Sequence, residues 1–404
     1  MRRTIRMYEV GFGDCFLLGF HDGADSSYVL IDCGTITEKK AQLDNIVGDI
    51  IATSKGRLAL VIATHRHKDH VWGFADPRWA DVEIGEVWMP WTENPDDPNA
   101  TRIRERQSAL ALALAGNPND RNPLERAPAR ETKLVATARG FEAMALNALT
   151  NEKAMATLHD GFAGAPPRRF LPLPDTICEA RTVAGLKDVT FHILGPTRDE
   201  KALASMDPPE GAGYLRWPTR MPKRHAGPPF AERYRLPDAD YVPAGGRQTF
   251  RVEDRAAVKK TLEQPAGVLA AALDKAINNT SLVIVLEAGD QFMLFPGDAQ
   301  WGSWQAIMAD PACRAVLEKV DVLKVGHHGS HNATPRALIE EILVKPLTAL
   351  FSTKPVTQWP NIPRALLLAA LHERHARIAR TDAEAQAGQD GFTVKNGLYI
   401  EWAA

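Results

Sequence analysis

Short apolar runs separated by glycine turns open the chain. Met7 to Val10, Phe16 to Phe20 and Tyr28 to Ile31 read as strands, with Gly11 and Gly13 between them and Asp32-Cys33-Gly34 closing the last. A helical stretch follows around Glu38 to Ala52, and Leu58 to Ala63 predicts a strand that runs directly into polar sequence. This first part is a β-rich half with a helix on one face.

From Trp91 to about Pro174 alanine, leucine and arginine displace β-branched residues, which is helical composition. The stretch 92–185 therefore reads as a largely helical insertion. Phe191 to Leu194, ended by Gly195-Pro196, returns to strand, and Asp207 to Gly246 is rich in proline, glycine and charge without a period. A second, loop-rich insertion is expected over 200–265. Order resumes with a helix over Gly267 to Ile277, then strands Ser281 to Glu287 and Gln291 to Phe295 about the turn Ala288-Gly289-Asp290. Helices near Trp301 to Lys319, Pro335 to Leu343 and Pro363 to His375 alternate with strands Val322 to Val325 and Ala349 to Phe351. A hairpin of Phe392 to Val394 and Leu398 to Glu401 about Asn396-Gly397 ends the pattern. The fold class is α/β, as a single domain over 1–404 carrying both insertions.

Composition narrows the function. A length of 404 residues exceeds what one compact core usually fills, in keeping with large insertions. The formal net charge of -2 gives no overall field to coat polyanions. Local patches remain: Arg216 to His225 is the densest, and Arg220 and Arg224 within it, beside Trp217, are candidate substrate contacts for a phosphate backbone. Folded as a solvated loop, that patch would make none. Arg102, Arg104 and Arg106 form a smaller group with the same alternatives. No apolar run approaches the roughly twenty residues of a membrane span, so no membrane partner is expected. The N-terminus lacks the pattern of a signal peptide. Cysteines at 15, 33, 178 and 313 have no paired spacing, which reads as a reduced, cytoplasmic protein.

The chemistry concentrates at Thr64-His65-Arg66-His67-Lys68-Asp69-His70. In an extended segment residues two apart point the same way, so His65 and His67 can share one ion. If a helix follows, Asp69 and His70 lie one turn beyond and can face a second. Phe295-Pro296-Gly297-Asp298 and Lys324-Val325-Gly326-His327-His328-Gly329-Ser330 end two further strands with metal-competent side chains. An aspartate between two cations can bridge them with its two oxygens.

These pieces, together with Leu30-Ile31-Asp32-Cys33-Gly34, resemble the metallo-β-lactamase superfamily of metallohydrolases. Val10-Gly11-Phe12-Gly13-Asp14, Asn279-Thr280-Ser281-Leu282-Val283 and Leu323 to Ser330 are similar to the branch typified by the hydrolase domain of bacterial DNA-uptake channel proteins. The likeness covers roughly residues 5 to 90 and 275 to 402. It implies an αββα sandwich with metals at one edge of the sheets. His65 and His67 would hold the first ion, and Asp69, His70 and His328 the second, with Asp298 bridging. His328 is preferred to His327 because it directly precedes Gly329. In one place the chain departs from the pattern: Asn278-Asn279 stand where most dinuclear members have another histidine. Those asparagines are either ligands or neighbours of the metals, or a helix-terminating cap. The cofactor expected is two divalent ions, zinc or manganese, with a single ion as the alternative.

Such ions would lower the pKa of a bound water to supply hydroxide, which makes hydrolysis the expected reaction. Asp69 would orient the nucleophile or take its proton, and His327, if not a ligand, would stabilise the oxyanion or protonate the leaving group. Asp32 would brace a ligand histidine or cap its turn, and Asp14 would stabilise the glycine turn or reach the site. Ser330 is a candidate contact for an anionic substrate. The expected substrate is a phosphodiester, nucleic acid included. Hydrolysis of esters, lactones, thioesters or amides, or a partner-binding role without turnover, are the alternatives. The insertions could set specificity or make a homo-oligomer.

Overall fold

The first strand, β1 (Arg2–Tyr8), begins well before its apolar run. Arg6 lies on its outer face, held by Asp49 at 2.6 Å and Glu401 at 2.8 Å, while Ile5 and Met7 turn into the core. Its charges are thus one side of an alternating strand. This computed structural model describes residues 1–23, 25–115, 151–176, 178–214, 276–357, 359–383, 391–395 and 397–403. The helical-insertion residues 116–150, most of the loop-rich insertion, the stretch Gly267 to Lys275, Arg220, Arg224 and Asn396 lie outside the described residues.

In chain order β1 is followed by β2 (Cys15–Asp22), β3 (Asp25–Cys33), α1 (Lys40–Ser54), β4 (Arg57–Ile62), α2 (Lys68–Val71), β5 (Glu83–Pro90) and α3 (Pro98–Ala115). Next come α4 (Glu152–Ala156), β6 (Arg168–Leu171), β7 (Glu179–Arg181), β8 (Val189–Gly195), α5 (Glu200–Ala204), β9 (Val283–Ala288) and β10 (Gln291–Phe295). The rest is α6 (Trp301–Ala309), α7 (Pro311–Leu317), β11 (Val322–Lys324), β12 (Thr348–Phe351), α8 (Ala365–Glu373), β13 (Arg377–Arg380), β14 (Phe392–Lys395) and β15 (Tyr399–Ala403).

The strands form two mixed sheets. One runs β14-β15-β1-β2-β3-β4-β5-β6 and the other β13-β12-β11-β10-β9-β8-β7. Between them lies a core in which Ile5, Phe16, Ile62 and Trp88 meet Phe191, Ile284, Phe295 and Leu350. Rings cross it edge-on, Phe16 to Phe295 at 5.5 Å and Trp88 to Phe191 at 4.9 Å. Leu17, Leu30 and Val61 turn the other way, onto Leu43, Ile46 and Ile50 of α1. On the far side Val283, Val285 and Leu323 pack against Trp304, Leu317 and Leu371. Both faces of the central strands are covered, so their apolar runs are continuous rather than alternating.

Several elements differ from the sequence pattern. β5, β6, β7 and β13 were not anticipated, and β6 falls within the stretch read as helical, where Arg168 to Leu171 pairs in parallel with Val87 to Pro90. Pairing with a neighbouring strand, rather than composition, makes that segment extended. The helix expected over Trp301 to Lys319 breaks at Asp310, whose carboxylate caps the Cys313 N–H at 2.9 Å with Pro311 in the first turn. All four cysteines are free thiols, and Cys15 stands opposite Cys33 across β2 and β3, a proximity that spacing alone does not reveal.

Candidate metal centre

β4 delivers the chain to Ala63, and the backbone stays extended through His67 (φ -65°, ψ 147°) before α2 starts at Lys68. His65 Nε2 lies 3.1 Å from His67 Nδ1, and the His65 ring is 4.1 Å from that of His70. Asp298 follows β10, and His327-His328 follow β11. A hydrogen bond from Leu282 N–H to Thr64 O at 2.8 Å joins the two sheets at this edge.

Asp69, His70, Asp298 and His328 form one group whose ligand-capable atoms all lie within 4.8 Å of one another. His70 Nε2 is 3.2 Å from Asp298 Oδ2, and His328 Nε2 is 3.4 Å from Asp69 Oδ2. Four ligands at about 2.1 Å around a tetrahedral ion stand about 3.4 Å apart. The donor set and its spacing therefore fit a metal ion, and imidazole with carboxylate suits zinc, manganese or iron.

Charge points the same way. Asp14, Asp32, Asp69 and Asp298 are each no more than 5% exposed, and among the described residues Lys324 is the only lysine or arginine buried with them. Protonated imidazoles or metal ions must supply the missing positive charge. Burial alone would lower His70, but Asp298, Asp32 and Asp14 raise it well above its ordinary value. Burial would raise the Asp69 carboxyl, yet the His328 hydrogen bond and the neighbouring imidazoles hold it well below the carboxylate range. His65 and His67 go the other way, His67 down to about 4, chiefly through burial. Neutral imidazole is the form that binds a cation.

The atoms behind the cluster fix its orientation. His70 Nδ1 is 2.8 Å from Asp32 Oδ2, which leaves Nε2 to face Asp298. Asp32 also accepts from Thr64 N–H and Thr64 Oγ1, both at 2.7 Å, and holds a left-handed backbone at φ 55°. Its side chain thus holds Thr64 and His70 in place instead of capping its own turn. Asp32→Asn is expected to weaken metal affinity about 10- to 100-fold. Competition with a chromophoric chelator measures this, and unchanged affinity would remove the bracing role.

Lys324 is the residue that sequence reasoning passed over. Its ammonium is ion-paired with Asp14, donates to Gly297 O at 3.1 Å and sits 3.4 Å from Asp298 Oδ1. Asp14 thereby does more than stabilise a turn: it lies under the cluster, 3.6 Å from His70 Nδ1. Asp298 Oδ1 also accepts the His327 N–H at 2.9 Å, so Oδ2 is the oxygen turned toward His70.

His327 and His328 are both left-handed, at φ 49° and 54°, and Gly329 follows at φ 87°. The turn sends His328 inward, with Nδ1 2.8 Å from Ser352 O, and leaves His327 18% exposed at the rim, its Nε2 4.0 Å from Asp298 Oδ2. Asn278 Nδ2 reaches His327 Nε2 at 3.4 Å. Asn279 is differently engaged: its amide nitrogen donates to Leu203 O at 2.8 Å and its oxygen accepts from Gln300 N–H at 3.1 Å. It ties α5 to the loop after β10. Ser330 is buried and its hydroxyl donates to Asn332 Oδ1 at 3.0 Å, which is a local turn contact. Close approach of β3 to α2 requires Gly34, because a Cβ there would strike the backbone of Asp69 and His70.

Fold and centre together define a mixed α/β chain whose buried histidine and aspartate cluster can hold a metal ion. No family model matches the chain. Over 120 residues it is 33% identical to ComE operon protein 3 of Bacillus subtilis, covering 30% of this chain and 14% of that protein. Over 112 residues it is 30% identical to Recombination protein 2 of Haemophilus influenzae, covering 28% of this chain and 13% of that protein. The chain thus spans only a small part of the curated relatives it matches. Among the described residues, no helix is long and apolar enough to cross a membrane.

Proposed function

We propose that the chain is a metal-dependent phosphodiesterase on a metallo-β-lactamase-type αββα sandwich, acting on nucleic acid or a nucleotide-like phosphodiester. The observation that carries it is the Asp69, His70, Asp298 and His328 group, whose donor atoms lie within 4.8 Å of one another with nearly no exposure. Support for a nucleic-acid substrate comes from the similarity to two proteins, one of them named for recombination. The domain would run over 1–404, with the insertions at 92–185 and 200–265 shaping access to the site.

When bound, zinc or manganese ions would acidify a water and polarise the phosphoryl group. His65 and His67 add neutral imidazoles beside the main group. Asp69 orients the attacking water and accepts its proton, while Asp298 presents Oδ2 to the cluster. His327, at the rim, would stabilise the charge developing on the leaving oxygen or, once its ring is protonated, give that oxygen a proton. The test is hydrolysis of bis-p-nitrophenyl phosphate, a lactone and a β-lactam, each with and without a chelator. Phosphodiester turnover that the chelator abolishes and manganese or zinc restores is the expected result. Lactone or β-lactam turnover alone would replace the substrate class, and bound metal without any turnover would favour a partner-binding module.

A further inference from the structure

Arg66 stands between two histidines of the metal motif, and alternation along the extended segment directs it away from them. It forms one wall of a cavity of about 570 Å³ that Glu93, Arg104, His159, Arg168 and Phe170 also line. β4, β5 and β6 are neighbouring parallel strands. The metal motif follows β4 and Glu93 follows β5, so cavity and cluster share the edge at the strands' carboxyl ends, where open parallel sheets place ligands.

Three guanidinium groups converge there, and two carry donors without a taker. Arg66 Nε is 3.6 Å from Glu93 Oε1, and this buried nitrogen has no hydrogen-bond partner among the described residues. Arg168 donates through Nε and Nη1 to the carbonyls of Leu158 and Pro166 at 3.2 and 2.7 Å, yet its buried Nη2 has no such partner among them. Arg104 is pinned by the carbonyls of Thr92 and Asn94. A buried cationic donor left unsatisfied is costly, and phosphate oxygens are its best partners. On the same wall His159 stacks on Phe170 with centroids 5.9 Å apart and planes at 29°. An aromatic face beside arginines is what an unstacked base packs against. The volume is that of a small-ligand site, large enough for one nucleotide.

We propose that this cavity is a nucleotide subsite, which takes the phosphate and base next to the scissile bond of a single-stranded nucleic acid. It rests on the phosphodiesterase reading and adds to it the form of the substrate. A paired, stacked base could enter only by flipping out. Arg66 and Arg168 receive the phosphate, and Phe170 and His159 the base, while Glu93 stays beside the Arg66 guanidinium.

Binding of a fluorescein-labelled single-stranded DNA of about a dozen nucleotides, followed by anisotropy in chelator over a range of salt, tests this without turnover. Arg66→Gln and Arg168→Gln are each expected to weaken binding about 10- to 100-fold and to flatten the salt slope by about 0.7. Phe170→Leu is expected to weaken it roughly 5- to 100-fold with the slope unchanged. Arg168 also ties two backbone carbonyls, so if that variant unfolds, Arg66→Gln and Phe170→Leu carry the test. Wild-type affinity and slope in the folded variants, or no strand binding by the wild type, would overturn the subsite. Strand binding with these losses, but no phosphodiester turnover by the wild type, would leave the subsite standing and remove the phosphodiesterase function instead.

Discussion

Lys324→Met is expected to lower folding stability by about 3–5 kcal/mol when measured by urea unfolding in chelator. The ammonium is 2% exposed and neutralises Asp14 and Asp298, which are themselves only 0% and 1% exposed. Methionine retains the stem's volume, so the loss isolates charge from packing. What remains is two carboxylates in a dry site with their nearest cation removed, a far larger penalty than a surface ion pair would incur. Combining the substitution with Asp14→Asn should cost less than the sum of the two single changes, because the second removes one of the stranded charges. A loss below about 1 kcal/mol for Lys324→Met would mean that the imidazoles already balance the cluster.

The second large effect falls on turnover. Asp298→Ala removes the oxygen 3.2 Å from His70 Nε2 and releases the Lys324 and His327 N–H contacts together. Loss of several kcal/mol of transition-state stabilisation corresponds to a drop in phosphodiester hydrolysis on the order of a thousandfold or more. Steady-state rates with saturating manganese or zinc check this, since restored metal occupancy would not restore the lost geometry. Turnover within about tenfold of wild type would place the reacting group elsewhere.

The residues brought together at the centre were legible where chemistry is written in local spacing. His65 to His70 could be read because an extended segment turning into a helix is a local event, and α2 begins one residue after His67. The preference for His328 over His327 rests on its place before Gly329 in the resemblance; the reason for it, two consecutive left-handed residues and Ser352 from beyond β12, is not written in the spacing. Lys324 looked like any polar residue ending a strand; its partners come from residues 14 and 298, far along the chain. Asn279 illustrates the converse. Its position suggested a ligand, but three-dimensional packing gives both ends of its amide to backbone groups. In the fold, continuous apolar strands such as β9 and β10 were plain from their composition. β6 was hidden because an edge strand rich in arginine owes its conformation to pairing with β5.

Metal content tests the central claim most directly, because the hydrolytic roles assigned above depend on a cation among Asp69, His70, Asp298 and His328. Elemental analysis of the purified chain should find at least one zinc, manganese or iron ion bound per molecule, and a reduced content in folded Asp298→Ala. A wild type that stays metal-free after incubation with these ions, or one whose metal content Asp298→Ala leaves unchanged, would contradict it.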